Sequence, residues 1–135
     1  MMRKDLKKIC KKFNIGIVYI FGSFALGIET EKSDIDIGIV FKDNSYISKR
    51  LDIYSELYKV FSDIFPKREV DIVFLNDANL LLKFEVVTTG KVIYAESIDY
   101  VMDYKEKIIK EYIDFKPMLE VQNRILLEMV SKFLY

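Results

Sequence analysis

The sequence contains no histidine and only one cysteine in 135 residues. Without histidine there is no Ser-His-Asp triad, no Cys-His pair and no histidine-ligated metal site. A lone Cys10 forms neither a disulfide within the chain nor a cysteine-based zinc cluster, and it suits a reducing, cytoplasmic location. Acid–base chemistry is left to carboxylates, lysine or tyrosine. Any metal would be bound mainly by oxygen, which favours Mg²⁺, Mn²⁺ or Ca²⁺.

The chain also lacks an excess of either charge and lacks a long apolar run. Lys+Arg and Asp+Glu each number 21, so general nucleic-acid binding is not expected, although a local basic patch stays open. The basic N-terminus has no signal-peptide core, and the uncharged run over residues 13–28 is too short to span a bilayer. We therefore expect one globular domain with no membrane segment.

Apolar periodicity predicts alternating helices and strands. The predicted helices cover about residues 4–13, 24–26, 45–62, 76–88 and 98 to the end, and the predicted strands cover 17–21, 35–41, 70–75 and 92–95. Asn76 or Asp77 is expected to cap the helix that Gly90 ends, and Pro117 to kink or break the last one. The pattern indicates an α/β sheet domain with helices on one main face. Residues 1–96 would form the core and residues 97–135 a C-terminal helical extension.

Two aspartates, Asp34 and Asp36, interrupt the apolar stretch of the second predicted strand. Successive side chains alternate between faces of a strand, so both carboxylates point one way while Ile35 and Ile37 point into a core. Neighbouring carboxylates repel each other, and a divalent cation between them removes that repulsion. The pattern predicts an oxygen clamp for Mg²⁺, and an exposed strand edge without function is the alternative.

Two further features lie near this pair in the predicted fold. Gly22 and Ser23 follow a buried strand, where glycine lets a phosphate approach the backbone and serine offers a hydroxyl. Asp71 is the second residue of the otherwise apolar third strand, and Glu69 is its nearest rival. Taken alone, the first is an ordinary strand-to-helix turn and the second a structural strand-end aspartate. If the second and third strands are neighbours, Asp71 joins the other two carboxylates.

Together these features predict metal-assisted phosphoryl transfer with two metal ions. The predicted roles are metal binding for Asp34, Asp36 and Asp71, deprotonation of the attacking hydroxyl for Asp71, and phosphate binding for Gly22 and Ser23.

The arrangement of Gly22-Ser23, ten residues, Asp34-Ile35-Asp36 and a later strand aspartate resembles the nucleotidyltransferase superfamily of DNA polymerase β type. Within it, the chain looks most like the minimal nucleotidyltransferases (MNT), and the similarity extends more weakly over residues 69–95 and 111–120. The resemblance implies a small mixed β-sheet covered by helices. It also implies the antitoxin of a HEPN/MNT toxin–antitoxin pair, which uses ATP and Mg²⁺ to transfer AMP to a tyrosine of the HEPN ribonuclease toxin.

One position departs from the family pattern GSxARG. The sequence here reads GSFALG, so Leu26 stands where the family has an arginine that could contact phosphate. Lys32 and Lys42 are the candidates to replace that cation. Two alternatives stay open: a non-catalytic antitoxin that neutralises by binding, which Leu26 supports, and a nucleotidyltransferase for a small molecule such as an aminoglycoside. The apolar C-terminal helices suit a helical protein partner or packing on their own sheet.

Overall fold

The computed structural model describes residues 2–23, Ala25, Gly27 and residues 34–134. Its helices are α1 (Met2–Lys12), α2 (Arg50–Ile64), α3 (Leu80–Thr89) and α4 (Ile98–Leu134), and its strands are β1 (Ile15–Phe21), β2 (Ile35–Phe41), β3 (Val70–Phe74) and β4 (Lys91–Ala95). Short 3-10 helices, Ser45–Lys49 and Leu75–Asp77, precede α2 and follow β3. Most of the short helix predicted over residues 24–26, together with the predictions for Leu26 and Lys32, lies outside the described residues.

The four strands form one mixed sheet in the order β3-β2-β1-β4. β1 pairs antiparallel with both β2 and β4, whereas β2 pairs parallel with β3. β2, whose observed bounds match the predicted ones, therefore lies inside the sheet between β1 and β3. The mixed sheet followed by a long C-terminal helix confirms the predicted α/β architecture.

Helices cover both faces of the sheet, so the expectation of one covered face is wrong. On one face, Ile35 and Ile37 of β2 belong to a core that α1 and α2 complete. On the other face, Val86 of α3 and Ile108 of α4 pack against alternate residues of β1. β1 is buried at all seven of its positions, as a strand covered on both faces must be.

The N-cap of α3 is Asn79, so the prediction of Asn76 or Asp77 in that role is wrong. The side-chain oxygen of Asn79 accepts a hydrogen bond from the N–H of Leu82 at 2.9 Å. Asn76 and Asp77 lie in the preceding 3-10 helix, and their side chains bind other parts of the chain. Gly90 forms the C-cap of α3, as predicted.

Asn76 continues the hydrogen-bonded ladder between β3 and β2 beyond the last residue of β3. Its side-chain amide donates to the carbonyl of Phe41 at 3.0 Å and accepts from the N–H of Phe41 at 2.9 Å. At the opposite end of the pair, the N–H of Ile35 donates to the carbonyl of Glu69 at 2.8 Å. The parallel pairing is therefore hydrogen-bonded at both of its ends.

α4 is one helix from Ile98 to Leu134, so of the two effects predicted for Pro117, a kink or a break, the break is excluded. Proline removes a hydrogen bond to the carbonyl four residues earlier. Pro117 and its neighbours are exposed, so water can satisfy that carbonyl. In the part of the chain that the structure describes, no helix is both long and apolar enough to cross a membrane.

The two halves of α4 differ in their surroundings. In the first half, Ile108 is buried and the ring of Tyr112 stacks on that of Phe84 of α3, with 3.8 Å between the ring centroids. Over residues 113–134, every side chain is exposed except that of Leu119, which is half-buried. Only the first half of α4 is therefore part of the core.

Candidate active site

The sheet places Asp36 and Asp71 side by side. The parallel register pairs Asp36 of β2 with Asp71 of β3, and paired residues of neighbouring strands project to the same face of a sheet. That face is the one covered by α3 and α4, because Ile35 and Ile37, which alternate with Asp36, belong to the core of the opposite face. Asp34 immediately precedes β2 and is exposed.

Gly22 lies directly against the carboxylate of Asp36. Phe21, the last residue of β1, pairs with Asp36 in the antiparallel register, which brings the following turn next to it. Gly22 has a φ of +75°, and a Cβ added there would collide with Oδ2 of Asp36. Glycine is therefore favoured by the left-handed backbone conformation, and any larger residue would displace the Asp36 carboxylate. Ser23 follows in the same turn and is half-buried.

Negative charge is concentrated around Asp36. Burial raises the pKa of Asp36 above its usual value, and the charges of Asp71, Asp34 and Glu85 raise that pKa further. Glu85 is an exposed residue of α3 that was not predicted for the site. An acidic residue on a helix gives no signal in the sequence until the helix is placed over the sheet.

The carboxylate oxygens of Asp34, Asp36 and Asp71 are the type of ligand that a hard divalent cation such as Mg²⁺ prefers. A cation there would relieve the repulsion that raises the pKa of Asp36. Among the residues described by the structure, however, no three acidic or thiol side chains converge closely enough to hold an ion. The aspartates share one region without forming a closed set of ligands, and the magnesium site stays a prediction.

Two of the alternatives considered for this site can be located. Lys42 does not replace the missing arginine, because it follows β2 at its far end, about 20 Å along the strand from Asp36. The Lys42 ammonium there binds the carboxylate of Glu96 at 2.9 Å. Glu69, the rival of Asp71, immediately precedes β3 and is exposed.

The sequence model of the family described as "Polymerase beta, Nucleotidyltransferase" matches residues 4–99, more than half of the chain. The chain belongs to this nucleotidyltransferase family. The matched stretch spans all of the predicted site residues, Gly22, Ser23, Asp34, Asp36 and Asp71.

Individual relatives extend the similarity over nearly the whole chain. The protein adenylyltransferase MntA of Aphanizomenon flos-aquae is 27% identical over 140 residues, which cover 96% of this chain and 87% of that protein. A crystal structure of a toxin–antitoxin with AMP-PNP matches with a TM-score of 0.68 at 22% identity, covering 97% of this chain and 99% of that chain.

A second solved structure contains the tri-AMPylated Shewanella oneidensis HEPN toxin in complex with an MNT antitoxin. One of its chains matches with a TM-score of 0.61 at 22% identity, covering 97% of this chain and 99% of that chain. At this identity the structural matches show a shared fold, and that fold includes the long C-terminal helix, since the coverage leaves almost none of α4 out.

Proposed function

We propose that this protein is the antitoxin of a HEPN/MNT pair and neutralises its HEPN toxin by transferring AMP from ATP to a tyrosine of that toxin. The observation that carries the proposal is the contact of Gly22 with Asp36, which is itself paired with Asp71. A turn suited to phosphates thus touches the carboxylates expected to serve phosphoryl transfer. The name of the Aphanizomenon flos-aquae relative, and the AMP-PNP and AMPylated toxin in the similar structures, support the same activity.

In the proposed reaction, the tyrosine hydroxyl oxygen attacks the α-phosphorus of ATP. A bond forms between them, the bond from the α-phosphorus to the oxygen bridging to the β-phosphate breaks, and pyrophosphate leaves. The carboxylate of Asp71 accepts the proton of the hydroxyl. The N–H of Gly22 and the hydroxyl of Ser23 bind the departing phosphates.

Asp34, Asp36 and Asp71 would hold Mg²⁺, with two ions in the proposed site. When bound, Mg²⁺ neutralises charge on the transferred phosphoryl group and on the leaving pyrophosphate. The chain contributes oxygen ligands on two neighbouring strands, and the absence of a side chain at Gly22 leaves space for the Asp36 carboxylate beside β1.

The division into a core of residues 1–96 and an extension of residues 97–135 is part of the proposal. We propose that the second half of α4, residues 113–134, binds the toxin, because it exposes a large apolar surface that the rest of the described chain does not cover. The large apolar side chains that are at least half exposed in this segment are those of Ile113, Phe115, Met118, Ile125, Leu126, Leu127, Met129, Phe133 and Leu134.

The position of this surface supports its role. Tyr112, where the exposed half begins, stacks on Phe84 of α3. The next residue of α3, Glu85, lies near enough to Asp36 to raise the pKa of that carboxyl. A toxin bound along the second half of α4 would therefore have its nearer end close to the carboxylates that act on it.

Non-catalytic binding of the toxin is the second candidate. Leu26 in place of the family arginine favours it, as does the lack of a closed carboxylate set among the described residues. The two candidates differ in one outcome: a catalytic antitoxin changes the covalent mass of the toxin, and a binding antitoxin does not.

The test is the intact mass of the cognate HEPN toxin after incubation with this protein, ATP and Mg²⁺. We expect a gain of one or more AMP units that is absent with an Asp34→Ala/Asp36→Ala variant. No mass change, with the toxin still inhibited by the wild type and by the variant, would overturn the enzyme proposal in favour of binding alone.

Gly22→Ala should lower the rate of AMP transfer strongly and the free energy of unfolding only moderately. The left-handed conformation costs alanine about 1–2 kcal/mol, and displacement of a catalytic group by about 1 Å costs on the order of 100-fold in rate. Gly27→Ala is the matched control, because Gly27 has a φ of +74° but no described atom lies within 4 Å of an added Cβ. Comparable rates for the two variants would show that the contact with Asp36 is unimportant.

A further inference from the structure

An apolar groove of about 630 Å³ runs along the outer edge of β3. Leu51 and Tyr54 of α2 line one side of it, Leu82 of α3 lines the other, and Val73 and Phe74 of β3 lie between them. The groove begins within two residues of Asp71, so it adjoins the candidate active site. It is not used by any step of the proposed reaction.

The backbone of β3 gives this groove hydrogen-bonding groups. Because the N–H of Ile35 donates to the carbonyl of Glu69, the parallel ladder directs the polar groups of Glu69 and Asp71 toward β2. Successive residues of a strand direct their backbone polar groups to opposite sides within the sheet. The N–H and C=O of Ile72 and Phe74 therefore point away from β2, toward the groove. No strand among the described residues pairs with this edge.

The charged side chains of the groove are already paired. The guanidinium of Arg50 donates from Nε and Nη2 to the two carboxylate oxygens of Asp77, both at 3.1 Å, and the hydroxyl of Tyr46 donates to the same carboxylate at 2.7 Å. The walls are otherwise mostly apolar. The groove therefore suits an uncharged occupant that offers backbone hydrogen bonds, rather than a phosphate.

We infer that this groove binds an extended segment of the acceptor protein as an additional strand on β3, with the acceptor tyrosine opposite Asp71. The inference rests on the proposed transfer of AMP to a tyrosine. Neighbouring strands lie about 4.8 Å apart, and their paired residues project to the same face. A tyrosine opposite Asp71 thus directs its ring to the face that carries Asp36 and Asp71. Main-chain hydrogen bonds hold the segment, and Leu51 and Leu82 contact its flanking side chains.

The test compares Leu51→Glu with Leu81→Glu, two substitutions of exposed leucines on helices. Leu51 is 78% exposed and lines the groove, whereas Leu81 is 58% exposed and lies outside its lining, so neither change should disturb the core. We expect Leu51→Glu to lower kcat/KM for AMP transfer to the HEPN toxin by about tenfold or more, as loss of a central apolar contact does. Leu81→Glu should stay near wild type, and calorimetric affinity for ATP should be unchanged in both.

A photo-crosslinking variant, Leu51→p-benzoylphenylalanine, gives a direct readout. We expect its crosslink to map by mass spectrometry to the toxin segment that contains the AMP-modified tyrosine. Equal transfer rates for the two glutamate variants, or a crosslink elsewhere on the toxin, would overturn the inference. Weaker ATP binding by Leu51→Glu would instead assign the groove to the nucleotide. Failure of the wild type to modify the toxin would reject the proposed function itself, and the inference with it.

Discussion

Asp36→Asn is expected to abolish AMP transfer while leaving the protein at least as stable as the wild type. The substitution keeps the size of the side chain but removes the central charged ligand of the proposed metal site. Metal ions supply several kcal/mol of transition-state stabilisation, and each 1.36 kcal/mol is tenfold in rate, so we expect a loss of about 1,000-fold or more. The measurement is the initial rate of AMP incorporation into the toxin.

The expected gain in stability follows from the pKa of Asp36. Because burial and neighbouring carboxylates raise that pKa in the folded protein, ionisation of Asp36 opposes folding. This free-energy cost to folding begins as the pH rises through the pKa that Asp36 has in the unfolded chain. It is complete above the pKa that Asp36 has in the folded protein, so it is present at pH 7. Urea unfolding at pH 7 without divalent cations should therefore show a higher midpoint for Asp36→Asn.

Asp63→Asn provides the control for both measurements. Asp63 is an exposed aspartate of α2, the helix that covers the opposite face of the sheet. The Asp63→Asn substitution should change neither the rate of AMP incorporation nor the urea unfolding midpoint appreciably, as expected for a surface substitution. A lower midpoint for Asp36→Asn would show that the lost activity reflects a damaged fold rather than a lost ligand.

The double substitution Leu126→Glu/Met129→Glu is expected to prevent stable association with the HEPN toxin without unfolding the antitoxin. The two side chains are 59% and 63% exposed and lie three residues apart, so they share one side of α4. Burying two unpaired charges in an apolar interface should weaken binding by about 100-fold or more. Isothermal titration calorimetry with the toxin measures the effect.

A matched control lies on the first half of the same helix. Ile98 and Met102 are 81% and 58% exposed, so Ile98→Glu/Met102→Glu adds the same two charges to α4 away from the proposed interface. The toxin should bind this variant as it binds the wild type. Equal weakening by both variants would argue against a specific surface on residues 113–134. A change in the oligomeric state of the antitoxin alone would assign that surface to a second copy of the chain.

The strand that contains Asp36 is the part of the fold that its own residues specify best. In β2, Ile35, Ile37 and Ile39 alternate with Asp36 and Gly38, so both the strand and its buried face follow from a period of two. The burial of β1 on both faces is also written in its own residues. Its apolar residues occupy odd and even positions alike, and this pattern indicates a strand covered on both faces.

Other features depend on contacts that local sequence does not contain. Three residues within four positions, Asn76, Asp77 and Asn79, are all suited to cap a helix. Asn79 serves as the cap because Asn76 binds Phe41, which is 35 residues away in the chain. Of the two effects predicted for Pro117, a kink or a break, the break did not occur, and at this exposed position water can reach the freed carbonyl.

For the candidate site, motif spacing predicted which elements approach one another but not the final geometry. The register that pairs Asp36 with Asp71, and the turn that brings Gly22 against Asp36, depend on strand order, which is a property of the whole sheet. The proximity of Glu85 depends on how α3 packs over that sheet. The roles of these residues in metal binding and catalysis stay predictions.

The side chain of Asn76 helps to hold the register in which the Asp71 carboxylate faces that of Asp36. β3 is a five-residue strand at the edge of the sheet, and a slip of one position against β2 would turn Asp71 to the opposite face. The amide of Asn76 offers one donor and one acceptor to Phe41, as a peptide group would, and these two hydrogen bonds favour the observed alignment over a slipped one. The chemistry proposed for Asp71 thus depends in part on a residue that is five positions further along the chain and contacts no substrate in the proposed reaction.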